Sequence, residues 1–233
     1  MPAVSHLRSE ASPPGEPRQV EPHQNAWLAR LRCQRMIAVI RSDDLQTGLK
    51  MADAAAQADV QLIEVTWNSD RPAQMVEQLR SQYPNCQIGV GTILSHRDLK
   101  DAIAAGAQFA FSPHTQPRLI EWGESQGCPM IPGALTPTEI VNAWQAGASS
   151  VKIFPAMSLG GPAYIKDLQG PLGQIPFVPT GGINYDNAPD FLKAGAIAVG
   201  VASCLFIPQL MKARDWPGLI AQIRQFRRRL ETV

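Results

Sequence analysis

Lys152 stands in the run Val151-Lys152-Ile153-Phe154, a lysine among residues that read as a β-strand. The other lysines, Lys50, Lys100, Lys166, Lys193 and Lys212, fall on helices or loops, where a solvated ammonium needs no explanation. A second strand, Leu62-Ile63-Glu64-Val65, carries the acid Glu64, and a third, Ile37-Ala38-Val39-Ile40-Arg41, ends in a guanidinium. Side chains alternate along a strand, so if the aliphatics face one way, Lys152 and Phe154 face the other, and Glu64 follows the same rule. A buried amine beside a carboxyl suits chemistry on a carbonyl: the amine attacks carbon, and the carboxyl moves protons onto and off the carbinolamine oxygen and the enamine carbon. An ordinary lysine is only about 0.1% neutral near pH 7.4. A pKa lowered by about 3 costs about 4 kcal/mol and raises the free amine several-hundredfold. Desolvation and Arg41 push that way, whereas an ionised Glu64 pushes back, so the pair is expected to titrate together. The competing readings are a buried Lys152–Glu64 ion pair kept for fold specificity and an Arg41 simply solvated at a strand end.

Glycine-rich turns supply a second kind of chemistry. Pro179-Thr180-Gly181-Gly182-Ile183 follows the seventh strand and Gly200-Val201-Ala202-Ser203 closes the eighth. Backbone amides approach an anion closely where no side chain intervenes, so the two loops together read as a phosphate cradle, to which Gly160-Gly161-Pro162 would add another amide. Gly89-Val90-Gly91-Thr92 ends the third strand, and Thr92 is placed either to hold a substrate carboxylate or to satisfy the strand end. No metal is expected: His6 and His23 fall in the N-terminal tail, and His96 and His114 are isolated. Cys33, Cys86, Cys128 and Cys204 are scattered singly, as suits reduced cytosolic thiols.

These groups need a scaffold, and the chain repeats one. Strand candidates recur at 37–41, 61–66, 87–91, 109–112, 130–132, 150–154, 177–180 and 198–201. Between them, Ser95-His96-Arg97-Asp98 and Thr136-Pro137-Thr138-Glu139 have capping-box form. Gly106, Gly127, Gly147 and Gly195 each stand where a helix must turn left-handed before the next strand. Such units make parallel β/α crossovers. Eight of them predict a single (β/α)8 TIM barrel over residues 25–233, with an extra N-terminal helix around Ala26, Trp27, Leu28 and Leu31. The alternative is an open doubly wound sheet, but no G-x-G-x-x-G follows the first strand. Residues 1–24, rich in Pro, Ser, Glu and Arg, read as a disordered tail. A formal net charge of +1 gives no field to hold nucleic acid or an anionic membrane, so a small-molecule ligand is expected. No run reaches the length of a signal peptide or membrane span, and Glu10, Glu16 and Glu21 argue against a transit peptide; a cytoplasmic location is expected.

Taken in order, Ile37–Arg41, Leu62–Thr66, Gly89–Thr92, Phe111–His114, Pro132-Gly133 with Thr136–Glu139, Val151–Pro155 and Phe177–Ile183 form a pattern. Between about Met36 and Phe206 the chain resembles the 2-keto-3-deoxy-6-phosphogluconate / 4-hydroxy-2-oxoglutarate aldolase family, class I aldolases that use neither metal nor cofactor. The resemblance implies a Schiff base on Lys152 and acid/base work by Glu64, with Thr92 and an arginine on the pyruvyl carboxylate. It further implies Phe154 packing on the intermediate, Pro113 among the substrate-binding residues, and Gly181, Gly182 and Ser203 on phosphate. A homotrimer, a keto-acid phosphate substrate, and pyruvate plus glyceraldehyde 3-phosphate or glyoxylate as products are implied too. Some members carry Thr-x-Arg after the second strand; here the stretch is Thr66-Trp67-Asn68-Ser69, so the arginine would be Arg41. Asn-Ser at this place is similar to the related 2-keto-3-deoxy-6-phosphogalactonate aldolases. The other readings are a different phosphate-binding barrel, such as an isomerase or a thiazole- or thiamine-phosphate synthase relative, and a catalytically silent sensor of sugar phosphates.

Overall fold

The computed structural model describes residues 21–233. Its strands are β1 (Met36–Ile40), β2 (Leu62–Thr66), β3 (Gln87–Gly91), β4 (Ala110–Phe111), β5 (Met130–Ile131), β6 (Gly133–Ala134), β7 (Val151–Ile153), β8 (Phe177–Pro179) and β9 (Val199–Val201). These nine occupy the eight predicted positions, because β5 and β6 are one stave interrupted at Pro132, whose nitrogen has no hydrogen to donate to a ladder. All paired strands are parallel, in the orders β5-β4-β3-β2-β1-β9 and β6-β7-β8. The two sheets join at Pro132 on one side. On the other, Thr180 bridges Gly200 and the Ile197 amide donates to the Phe177 carbonyl at 3.0 Å. The ring is thereby complete, and the expected (β/α)8 barrel is the fold.

Helices alternate with the strands: α2 (Leu45–Gln57), α3 (Pro72–Gln82), α4 (His96–Ala104), α5 (Pro117–Ser125), α6 (Pro137–Gln145), α7 (Pro162–Leu172), α8 (Ala188–Lys193), α9 (Pro208–Ala213) and α10 (Trp216–Glu231). Several open on proline, whose fixed φ suits a first helical residue and whose missing donor is not needed there. Thr136 and Glu139 form the expected capping box, and Ser95 accepts from the Asp98 amide. After α4, α5, α6 and α8, Gly106, Gly127, Gly147 and Gly195 all adopt positive φ, as their position in the sequence predicts.

The strands' period of two sorts the interior into two cores. Met36, Ala38, Ile40, Ile63, Val65, Ile88, Val90, Val151 and Ile153 pack outward beneath the helices. Ile37, Leu62, Phe109, Phe111, Ile131, Val178 and Ala198 pack inside the barrel with Trp27, Leu28 and Leu31. Those last three belong to α1 (Pro22–Gln34), which plugs the barrel at the strands' N-terminal ends. The Trp27 ring lies 4.8 Å from that of Phe109, and its indole N–H donates to Ser150 Oγ at 3.0 Å.

The helix begins earlier than expected. Pro22–Gln24, assigned to the tail from sequence, form its first turn: Glu21 and Gln24 make a capping box, and Pro22 occupies N1. His23, also placed in the tail, pairs with Glu124 at 2.7 Å. That carboxylate accepts as well from Gln24 Nε2, the Met130 amide and Ser149 Oγ. The rest of the expected disordered tail, residues 1–20, lies outside the described residues.

Replacing a large buried aromatic by alanine costs about 3–5 kcal/mol. Trp27→Ala should therefore lower the urea midpoint by a stability loss of that order; a loss below about 1 kcal/mol would mean that α1 does not close the barrel floor.

Candidate active site

At the strands' C-terminal ends the barrel opens into a cavity of about 850 Å³. Arg41, Glu64, Thr92, Pro113, Lys152, Phe154, Gly181, Gly182 and Ser203 all line it, so the residues singled out from sequence converge on one space. Gly160 and Gly161 do not line it. Among the described residues no group of three or more His, Cys, Asp or Glu side chains is arranged to hold a metal ion.

Lys152 rises from β7 with its parity turned inward and is only 7% exposed. Its Nζ lies 4.7 Å from the centre of the Phe154 ring and 5.7 Å from that of Phe111. Glu64, on β2, is 2% exposed, and among the described residues its carboxyl has no hydrogen-bond partner. Room for it is made across the ladder. A Cβ on Gly91 would overlap the Glu64 carboxyl, and one on Gly89 would overlap the Phe109 ring. The two inward glycines of β3 thus leave space for a buried carboxyl above and a core ring below.

Arg41, just beyond β1, is exposed, and among the described residues its guanidinium makes no hydrogen bond or ion pair. Thr92 adopts φ of +61°, a left-handed conformation uncommon for a β-branched residue, and its hydroxyl has no partner among the described residues. That counts against a threonine that merely satisfies a strand end. At the far side, none of the backbone N–H groups of Gly181, Gly182, Ile183, Ala202 and Ser203 donates within the described residues. Gly181 and Gly182 have consecutive positive φ of 94° and 77°, a backbone course that glycine adopts without a Cβ penalty.

The family described as KDPG and KHG aldolase matches residues 28–223. The chain belongs to that family. The 2-dehydro-3-deoxy-phosphogluconate aldolase of Haemophilus influenzae is 30% identical over 198 residues, spanning 85% of this chain and 93% of that one. A crystal structure of KDPG aldolase from Legionella pneumophila, with pyruvate captured at low pH as a covalent carbinolamine intermediate, has a TM-score of 0.79 at 29% identity and covers 85% of this chain and 97% of that one. A native KDPGal structure has a TM-score of 0.73 at 26% identity, covering 82% and 95%. The protein is an aldolase, a lyase of carbon–carbon bonds.

In this aldolase the electrostatics of the two buried groups have opposite signs and one cause. Burial pushes the Glu64 carboxyl up, against smaller lowering by Lys152 and Arg41. Burial pushes the Lys152 ammonium down; Glu64 opposes this and Arg41 adds to it. Each of the two rings attracts a desolvated ammonium by about 2 kcal/mol, which opposes that shift. Full burial of a lysine shifts its pKa by as much as about 3–5, or about 4–7 kcal/mol, so desolvation decides the direction.

Other lining residues were not singled out from sequence. Thr66 and Thr180 share the inward parity of Glu64 and Val178, so alternation alone would have found them. Asp43, Thr47, Phe206 and Met211 come from loops and helix ends, where no periodicity marks a residue as facing the cavity. Asn68 is exposed and absent from the lining, whereas the Ser69 hydroxyl contacts that of Thr66 at 3.0 Å and accepts the Ser42 amide at 3.2 Å.

Competitive carbamylation with cyanate, read at each lysine by peptide mass spectrometry, follows the free amine. Lys152 should label with a midpoint below those of the helix-borne lysines. Arg41→Met removes a cation and should move that midpoint up, while Glu64→Gln removes a neighbouring anion and should move it down, over the pH range where Glu64 is ionised. Shifts of the same sign in both variants would contradict this electrostatic picture.

Proposed function

We propose that the chain is a class I aldolase cleaving 2-keto-3-deoxy-6-phosphogluconate to pyruvate and glyceraldehyde 3-phosphate through a Schiff base on Lys152. Cleavage of 4-hydroxy-2-oxoglutarate to pyruvate and glyoxylate is its second reaction. The observation that carries this reading is the buried Lys152 amine, held between aromatic rings beside a desolvated carboxyl, in a cavity whose far wall is a set of unengaged amides.

The free amine of Lys152 attacks the substrate C2 carbonyl, giving a carbinolamine that loses water to a protonated imine. Glu64 supplies the proton with which the hydroxyl leaves. As a carboxylate, Glu64 then takes the proton of the C4 hydroxyl while the C3–C4 bond breaks. The bonding pair flows into the imine, an enamine forms and the aldehyde departs. Glu64 returns the proton to C3, and water releases pyruvate and the amine. Its raised pKa suits a group that must both give and take a proton near neutrality.

Arg41 and the Thr92 hydroxyl hold the pyruvyl carboxylate, Phe154 and Pro113 pack against the intermediate, and the amides of Gly181 and Gly182 with Ser203 hold phosphate. A homotrimer is the assembly that goes with this reading. A second reading, 2-keto-3-deoxy-6-phosphogalactonate cleavage, is favoured by one observation: the stretch after β2 reads Thr66-Trp67-Asn68-Ser69 and brings no arginine. It differs in the configuration accepted at C4.

Incubation with pyruvate and borohydride should add the mass of one reduced pyruvyl group to the intact protein, and Lys152→Met should abolish the gain. A parent protein that binds sugar phosphate without adduct or turnover would instead be a sensor, or a different phosphate-binding barrel. Glu64→Gln should lower kcat about 10²–10⁴-fold. Ser203→Ala should raise KM roughly tenfold to a hundredfold for the phosphorylated substrate but not for 4-hydroxy-2-oxoglutarate, as loss of a hydrogen bond to a charged group implies. Rates on the two C4 epimers decide between the gluconate and galactonate readings.

A further inference from the structure

Beneath Lys152, on the side away from the cavity, lies a ring the reaction scheme does not use. Phe111, on β4, is 1% exposed and lies outside the cavity lining, so a bound substrate does not meet it. Its centre is nonetheless 5.7 Å from the lysine Nζ. It belongs to the inner core with α1 and stands edge-on to Phe109 at 5.9 Å and to Trp27 at 6.3 Å. Trp27 also holds, through its indole N–H, the hydroxyl of Ser150, two residues before Lys152 and of the same inward parity. The plug helix therefore reaches the lysine twice, once through a stack of rings beneath the amine and once through the strand that carries it.

We propose that Phe111, backed by Trp27, is a positioning residue for the Schiff-base lysine: it forms a dry floor that keeps water from the amine and aims Nζ at the cavity. The proposal rests on the reading of Lys152 as the imine-forming residue. A packing role alone would require only that the volume be filled. Here the ring closes the barrel interior between the lysine and the plug, and a smaller residue would open a space next to Nζ into which water could move. The charged groups facing Lys152 are Glu64 from β2 and Arg41 beyond β1. β4, β6 and β8 bring no other titratable side chain, and α1 contributes Trp27, Leu28 and Leu31 to the interior. Loss of the ring also removes its attraction for the ammonium, which alone would lower the midpoint, but with so few polar neighbours the admission of water from below is the larger change and raises it.

The test compares Phe111→Ala, Phe111→Val and Phe111→Leu with the parent protein, each checked for folding by circular dichroism. In Phe111→Ala and Phe111→Val the midpoint pH of Lys152 carbamylation should rise, by about one unit or more for alanine, a tenfold loss of free amine at fixed pH. kcat should fall further than KM rises. Phe111→Leu, which restores apolar bulk, should recover most of the parent profile. Trp27→Phe, which keeps a ring but loses the bond to Ser150, should lower kcat with little change in KM. If Phe111→Ala does not fold, Phe111→Val decides. Folded Phe111 variants with an unchanged labelling profile and unchanged kcat would overturn the proposal and leave Phe111 as core packing. A parent protein that forms no pyruvate adduct would instead overturn the Schiff-base reading, and the carbamylation profile separates the two failures.

Discussion

An amine reacts with a carbonyl only after it has lost its proton, and in this barrel burial takes the Lys152 ammonium out of water and so favours the free amine. That desolvation is unfavourable for the ammonium, and the surroundings of Lys152 are arranged so that the chain tolerates it. β7 is held on both sides, pairing with β6 and β8 at Gly133 and Val178. The outer aliphatics Val151 and Ile153 lock the strand beneath the helices, so the lysine's orientation follows from parity and cannot reverse without exposing two buried side chains. A second desolvated group, Glu64, stands close enough that each biases the other's titration. A pair whose protons are exchanged between roles is better suited to a multistep proton traffic than two groups with ordinary pKa values.

The barrel reconciles this site with stability by separating them along its axis. At the strands' N-terminal ends the interior is apolar, with Trp27 from α1 set among Phe109, Leu62 and Ile37. At the C-terminal ends the inward positions become Glu64, Thr66, Lys152 and Thr180. Glycines mark the transition: Gly91 leaves the space that Glu64 fills, and Gly200 leaves the space that the Thr180 hydroxyl fills. Neither glycine is explained by loop flexibility; each is a missing side chain that a neighbouring strand supplies.

How much of this was legible in the sequence depended on which physical rule applied. Strand parity is rigid, so Lys152 and Glu64 were readable; the left-handed turn that ends a helix is equally specific, so the helix-ending glycines were readable too, and the barrel with them. Arg41 and Thr92 were readable as strand-end residues, and the structure places both on the cavity. The start of α1 was misplaced because Pro22 and the Glu21–Gln24 capping box lie in a segment whose composition resembles a tail; composition averages over signals that act at single positions. The clamp of His23 on Glu124 joins residues 101 apart, and no local pattern announces such a contact. Asp43 and Met211 face the cavity because of how loops and helix ends settle on the rim, which neither period describes.

The loop after β2 shows how a departure from a relative's pattern can be absorbed. Thr66-Trp67-Asn68-Ser69 brings no arginine to the mouth, so among the described residues the one guanidinium in the cavity lining is that of Arg41, at the end of β1. A lone exposed arginine loses conformational freedom when it grips a carboxylate, and the loss is smaller if the backbone beneath it is already fixed. The β2 loop does that fixing. Ser69 Oγ accepts the amide of Ser42, the residue after Arg41; the Asp70 amide donates to the Ser42 carbonyl at 2.8 Å; and the Asp70 carboxylate accepts from the Leu45 amide at 3.1 Å. Residues of the β2 loop thus anchor the strand end that carries Arg41, so the placing of that guanidinium is divided between two adjacent strands. Such a division is open only to neighbours in the ring, and β1 and β2 are paired through Val39 and Glu64.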